Sequence, residues 1–268
     1  MKWTLIIMMS LLLTSDVSDV CAQSSNDGYE LVFSDEFNLP NGSQPDTVKW
    51  QRHQRNNSTW ARWISSNRRT VFIKNGCLVC RAIPNKYEHN DTARFLTGAI
   101  STLKTFNFTY GKVEVRMKTN LRKGNFPAAW LQGMQKKRPD LYKEIDIVES
   151  FGGPRTFHSA FAHLTVKKHR TDGPKYIFKE EIDVSKWHVY SVVWTETDIR
   201  WFIDGKQVGV YAKSSDESLL ADGQWPYDYP MYVILNQSIS DDIWKGKQKW
   251  NYSYETRFDW IRVYQKKR

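Results

Sequence analysis

The greatest chemical potential in this 268-residue chain lies in three acids of one short run, Glu144-Ile145-Asp146-Ile147-Val148-Glu149. The residues between them are β-branched and apolar, as in a buried strand. Side chains in a regular strand alternate faces, so Glu144 and Asp146 point the same way and Glu149, an odd step on, points the opposite way. A β-bulge between Asp146 and Glu149 would absorb one surplus residue and bring all three carboxyls to one face, and bulges concentrate next to active sites. Clustered, partly buried carboxyls repel one another, which raises at least one pKa and leaves a protonated acid beside an ionised base. Cleavage of a glycosidic bond needs such a pair. The competing readings are a solvated acidic edge or a calcium site of the sandwich-lectin kind, although calcium sites usually draw on Asn side chains and carbonyl-rich loops.

The elements around this segment read as strands. Beyond Ser24, short runs rich in Val, Ile, Tyr, Phe and Trp are separated by turn residues, with no sustained helical period. Strands are expected at 70–73, 76–82, 112–118, 144–150, 188–195, 199–203, 232–236 and 258–264. Lys112-Val113-Glu114-Val115-Arg116-Met117-Lys118 alternates throughout, the mark of a strand with one buried face. Asp204-Gly205, between two apolar runs, signals a two-residue hairpin. No repeat or linker divides the chain, so residues 23–268 are expected to form one all-β sandwich, ordered from about Tyr29 to Gln265, with a face that curves into a groove. The 12 Trp residues suit a groove for a polysaccharide, because indole stacks on the apolar face of a pyranose; any single Trp is more often core.

The N-terminus sets the expected compartment. Lys2 precedes an apolar run over 3–13 that is too short to anchor in a bilayer, and Val20 and Ala22 are small residues at the −3 and −1 positions of a cleavage site. Residues 1–22 therefore read as a secretory signal peptide. A lipid anchor on Cys21 is the competing reading, weakened by the 14–20 segment that separates the cysteine from the apolar run. No other segment has the length of a membrane helix. Cleavage removes one lysine and two aspartates, so the formal charge rises from +10 to +11. Basic residues are scattered, with short clusters such as Lys167-Lys168-His169-Arg170, so the excess reads as solubilising, with attraction to acidic polymers as the alternative. Nucleic acid is an odd partner for an exported chain, and a monomer is expected. Cys77 and Cys80 lie on one expected strand at an odd spacing, which argues against a mutual disulfide and for small buried hydrophobes.

With these residues in view, the sequence resembles glycoside hydrolase family 16, whose signature in its bulged form is E-I-D-I-x-E. The resemblance runs nearly the whole mature length. It includes Leu31-Val32-Phe33-Ser34-Asp35-Glu36-Phe37, Thr97-Gly98-Ala99-Ile100-Ser101-Thr102, Gly124-Asn125-Phe126-Pro127-Ala128-Ala129-Trp130, Trp201-Phe202-Ile203-Asp204-Gly205 and Phe258-Asp259-Trp260-Ile261-Arg262-Val263-Tyr264. It implies a concanavalin-like β-jelly-roll with the acid strand lining a long cleft, and a retaining endo-β-glycosidase with no cofactor for catalysis. Glu144 would be the nucleophile, Glu149 the general acid/base and Asp146 the residue that tunes the nucleophile. By the same resemblance Trp130 stacks on the sugar at the cleavage subsite, His163 holds the leaving side and Asn236 faces the cleft. The structural alternatives are a core tryptophan, a satisfied histidine and a turn or capping asparagine. A structural calcium held near Glu36, Gly76 and Asp259 is also implied.

Three departures bear on the substrate: Lys143 and Phe126 replace a family Gly and Trp, and Ser240-Asp241-Asp242-Ile243-Trp244 replaces a Gly-Gly-x-Trp run. The expected polymer is β-1,3- or mixed-linkage β-1,3/1,4-glucan. Galactose-containing chains are the alternative, either mucin-type O-glycans or agar-type galactans. The alternative from another class is a non-catalytic lectin, which has no need of three clustered acids on one strand.

Overall fold

In the computed structural model the described residues are 28–133, 143–162, 177–240 and 252–267. The expected signal peptide, Cys21, His163, the basic cluster at 167–170 and residues 241–244 lie outside them. The described residues form β1 (Tyr29–Asp35), β2 (Gln51–Arg52), β3 (Val71–Lys74), β4 (Cys77–Pro84), β5 (Phe95–Ser101), β6 (Gly111–Thr119), β7 (Asn125–Gly133) and β8 (Lys143–Ser150). These are followed by β9 (Arg155–Ala162), β10 (Ile177–Glu181), β11 (His188–Trp194), β12 (Asp198–Ile203), β13 (Lys206–Ala212), a short helix α1 (Glu217–Ala221), β14 (Met231–Ile239) and β15 (Tyr254–Lys266).

The strands join in one antiparallel sheet of order β10-β9-β8-β7-β14-β5-β4-β15-β6-β11-β12-β13, with β1 on β15, β2 on β5 and β3 on β4. This sheet folds over between β5 and β4 into two facing layers, the all-β jelly-roll sandwich that the short-strand pattern implies. One layer, from β10 to β5, carries the three acids and is the cleft sheet; the other, from β4 to β13, is the outer sheet. At the free edges, β10 and β13 meet through side chains: the Phe178 ring lies where a Cβ on Gly209 would stand.

Local sequence accounts for the elements that frame the cleft. Alternate residues of β6 are buried and half-buried along its whole length, as its pattern dictates. Asp204 and Gly205 turn β12 into β13 with φ of 49° and 82°, the left-handed pair that a two-residue hairpin requires. Two strands run longer than their apolar residues suggest. β14 continues through Asn236, Gln237 and Ser238, all buried, and β15 begins at Tyr254. Cys77 and Cys80 are both free and buried, and burial pushes the Cys80 thiol up to about 12.

Trp194, Trp201, Tyr190, Phe258 and Ile145 fill the space between the layers, each fully buried. Burial of each such side chain is worth about 1.5–3 kcal/mol. A closed polar ring crosses the same interface. The Asn125 amide donates to Thr119 Oγ1 (2.9 Å), Thr119 and Thr256 share a hydroxyl contact (2.7 Å), Thr256 donates to Gln237 Oε1 (2.6 Å), and Gln237 donates back to Asn125 Oδ1 (2.7 Å). Because the Thr256 proton goes to Gln237, Thr119 donates to Thr256 and all four bonds run in one sense. Two members belong to the outer sheet and two to the cleft sheet. Thr256→Val keeps the shape but removes one hydroxyl, leaving Thr119 and Gln237 short of a partner. It should destabilise the fold by about 1–3 kcal/mol, read as a lower urea midpoint with unchanged slope; an unchanged midpoint would mean that the ring adds nothing.

Candidate active site

The register of β8 contains the expected bulge. On the β7 side Ala129 pairs with Val148 and Trp130 with Asp146; on the β9 side Ser159 pairs with Asp146 and Phe157 with Glu149. Ile147 is the surplus residue, paired on neither side. Ile147 and Val148 are both buried, while Glu144 and Glu149 stay partly exposed. The acids thus sit in rows across the cleft sheet. Glu144 lies beside Gln132 and Tyr232, Asp146 between Trp130 and Ser159, and Glu149 between Ala128 and Phe157, with Asn236 beyond Ala128.

These rows line a hollow of about 480 Å³ whose wall includes Trp60, Phe126, Trp130, Gln132 and Asn236 together with the three acids. A larger hollow of about 640 Å³ lies elsewhere, among Tyr29, Tyr110, Trp194 and Gln265, away from the acid strand. Chemistry follows the converging carboxyls rather than the volume.

Asp146 is 3% exposed and accepts a 2.6 Å hydrogen bond from the Ser159 hydroxyl. Burial, then the charges of Glu149 and Glu144, push its carboxyl well above the usual range; the serine bond opposes this. Burial and the neighbouring Glu144 charge push Glu149 up to about 8. The cluster therefore holds a protonated carboxyl at neutral pH, on the cleft face, beside other acids.

Trp130 is nearly buried and donates its indole N–H to Asn236 Oδ1 at 2.9 Å. Asn236 lies within β14 rather than at its end, so a turn or capping role does not apply. Its amide reaches the Ser238 hydroxyl (3.3 Å), and Ser238 donates to the Trp60 carbonyl (2.5 Å). The Trp60 ring stands edge-on to Trp130, with centroids 5.0 Å apart, and His53 packs on Trp60. Trp60 and Gln132, which the Tyr232 hydroxyl contacts, were not anticipated as site residues. The only available signal for Trp60 was an exposed-type aromatic next to the polar run Asn56-Asn57-Ser58-Thr59.

The two carboxylates that the resemblance assigns to calcium are each engaged by an arginine, and Gly76 could offer only its carbonyl. The Glu36 carboxylate is held by both arms of the Arg262 guanidinium (2.9 and 3.0 Å), and Asp259 pairs with Arg116 while touching the Cys77 thiol at 3.8 Å. Calcium needs six or more oxygens that are free to turn toward it. Among the described residues, no group of three or more His, Cys, Asp or Glu side chains is arranged to hold a metal.

An antiparallel sandwich with a bulged acid strand in an open hollow defines the class, a β-sandwich glycoside hydrolase. The chain belongs to the glycosyl hydrolases family 16, whose sequence profile matches residues 57–262. It is 28% identical to a keratan-sulfate endo-1,4-β-galactosidase of Sphingobacterium multivorum, over 88% of this chain and 55% of that protein. It is 27% identical to a β-glucanase of Rhodothermus marinus, over 88% of this chain and 85% of that one. The crystal structure of SCLam, a non-specific endo-β-1,3(4)-glucanase of the family, superposes with a TM-score of 0.77 at 25% identity, covering 90% of this chain and 92% of that one. The chain thus spans about half the length of the first of these relatives.

The raised Glu149 pKa has a stability consequence. Between pH 4.5 and about 8 the unfolded chain ionises this carboxyl while the folded one keeps its proton, so Glu149 stabilises the fold below that window and loses this contribution as pH rises through it. Glu149→Gln should therefore melt several degrees above wild type at pH 8, with the gain shrinking toward pH 4.5. Calorimetry at both pH values checks this, and a pH-independent difference would contradict the burial effect.

Proposed function

We propose that the chain is an exported retaining endo-β-glycosidase in which Glu144 is the nucleophile, Glu149 the general acid/base and Asp146 the group that orients Glu144. The observation that carries this reading is the bulged register, which turns all three acids to the cleft face, where burial and the Glu144 charge push Glu149 up to about 8. Glu144 attacks the anomeric carbon while Glu149 gives its proton to the departing glycosidic oxygen. Esterification of Glu144 then removes one of the two causes of the raised Glu149 pKa. Glu149, now more acidic, takes a proton from the water that attacks the glycosyl ester and releases Glu144. Ser159 fixes Asp146 at the centre of the row.

The polymer that best fits this reading is β-1,3- or mixed-linkage β-1,3/1,4-glucan, supported by the similarity to the Rhodothermus marinus β-glucanase and to SCLam. Galactose-containing chains are the second reading, favoured by the similarity to the keratan-sulfate enzyme and by the positive formal charge of the chain. The short apolar run after Lys2 supports export, with cleavage after Ala22. Among the described residues no helix is long and apolar enough to cross a membrane.

Product profiling on laminarin, lichenan, keratan sulfate, porphyran and mucin should give internal cleavage of one of these, with retention at the anomeric carbon by proton NMR. Binding without release of any oligosaccharide would instead favour a lectin. Glu144→Gln should abolish the covalent glycosyl-enzyme and lower kcat by at least about a thousandfold. Glu149→Ala should still form it from an activated aryl glycoside and be rescued by azide to a β-linked product. Identical rescue behaviour of the two variants would overturn the division of roles.

A further inference from the structure

The bulge that presents Glu149 has a support outside the cleft. A surplus residue interrupts the ladder, so the main-chain groups around it need partners from elsewhere, and a buried carbonyl without one is destabilising by about 1–3 kcal/mol. Two side chains supply them. The Trp201 indole N–H, from β12 of the outer sheet, donates to the Asp146 carbonyl at 2.9 Å. His158 Nδ1, from β9, lies 2.6 Å from the Ile147 carbonyl. Both donors are completely buried. His158 is also the one residue of β9 that stands opposite the surplus step, between Phe157, paired with Glu149, and Ser159, paired with Asp146.

The tautomer of His158 follows from its partners. A carbonyl oxygen only accepts, so Nδ1 carries the hydrogen. Nε2 then accepts from the Thr156 hydroxyl at 3.0 Å. Burial pushes the imidazole down to about 4, so the ring is neutral around pH 7 and keeps this arrangement. The two clamped carbonyls belong to successive residues, one approached from the neighbouring strand and one from across the core. If either bond is lost, the strand can relax toward a regular ladder, and in that ladder Glu149 turns toward the core.

We propose that His158 and Trp201 are positioning residues that pin the bulge and thereby fix the Glu149 carboxyl relative to Glu144. The proposal rests on the reading of these acids as the reacting groups, and neither positioning residue lines the substrate hollow. Their removal is therefore expected to act on kcat and on the Glu149 environment, and to leave substrate affinity intact.

The experiment uses Trp201→Phe, which keeps a ring but loses the N–H, with His158→Leu, which loses the donor, and His158→Asn, which keeps an amide N–H near the Nδ1 position. The first readout is the Glu149 titration, followed by carbon-13 NMR of labelled glutamate carboxyls and assigned with Glu149→Gln; it needs no substrate. The second is kcat and KM on the polymer that wild type cleaves in the panel above. Trp201→Phe and His158→Leu should bring the raised titration down by at least about one unit and lower kcat by about ten- to a hundredfold, with KM within about twofold. His158→Asn should stay close to wild type in both. Folded Trp201→Phe with an unshifted titration would overturn the proposal, and so would His158→Asn failing as badly as His158→Leu. Should His158→Leu not fold, the other two variants decide. A shifted titration in a protein that cleaves no polymer would uphold the clamp and sink the hydrolase reading instead.

Discussion

Ile147 is one residue more than a regular ladder can hold, and the gathering of three acids on one face of the cleft depends on that surplus staying in place. With the bulge, Ile147 and Val148 are both buried while Glu144, Asp146 and Glu149 share the opposite face. Without it, one acid would have to be desolvated in the core or two apolar residues exposed. Burial of the two apolar residues and the cost of desolvating an acid in the core thus favour the same irregular geometry, against the repulsion among the three carboxyls. Burial first, and then the neighbouring carboxyl charges, push Asp146 and Glu149 above the usual carboxylate range, so the bulge sets the protonation of the row as well as its direction.

Away from the cleft several acidic residues are held by arginines. Arg262 holds Glu36, Arg116 pairs with Asp259 and Arg257 with Glu255 on the outer sheet. Cations also lie over rings, as with Arg262 on Trp260 and Lys118 on Trp187. Such exposed pairs add little stability each, but they keep a twisted, solvent-facing strand layer from presenting a bare apolar surface.

Much of this was legible because it depends on local spacing. The odd step from Asp146 to Glu149 demanded a bulge, the alternation at 112–118 gave a strand with one buried face, and Asp204-Gly205 gave the hairpin. What escaped depends on pairing between distant segments. Glu36 and Arg262 are 226 positions apart, and nothing local to either reports the contact. Asn236, Gln237 and Ser238 look like a strand end because polar residues usually mark one; here a polar ring and the Trp130 indole take them into the interior. His158 carries no signal in the sequence, since a buried histidine is informative only once its two partners are known.

The sandwich closes differently along its two sides. Where β5 passes to β4, backbone hydrogen bonds continue from one layer into the other, whereas among the described residues β10 and β13 share no ladder and Phe178 packs over Gly209. Mechanically the molecule is a folded leaf with one stitched spine and one unstitched margin. The acid strand lies two strands in from that margin, through β9 and β10, so slow breathing of the margin would reach the half of the cleft bearing Phe157 before it reached the spine. A ligand laid across the acids would rest between a side that runs through β7 and β14 to the stitched spine and a side that ends, through β9 and β10, at the margin.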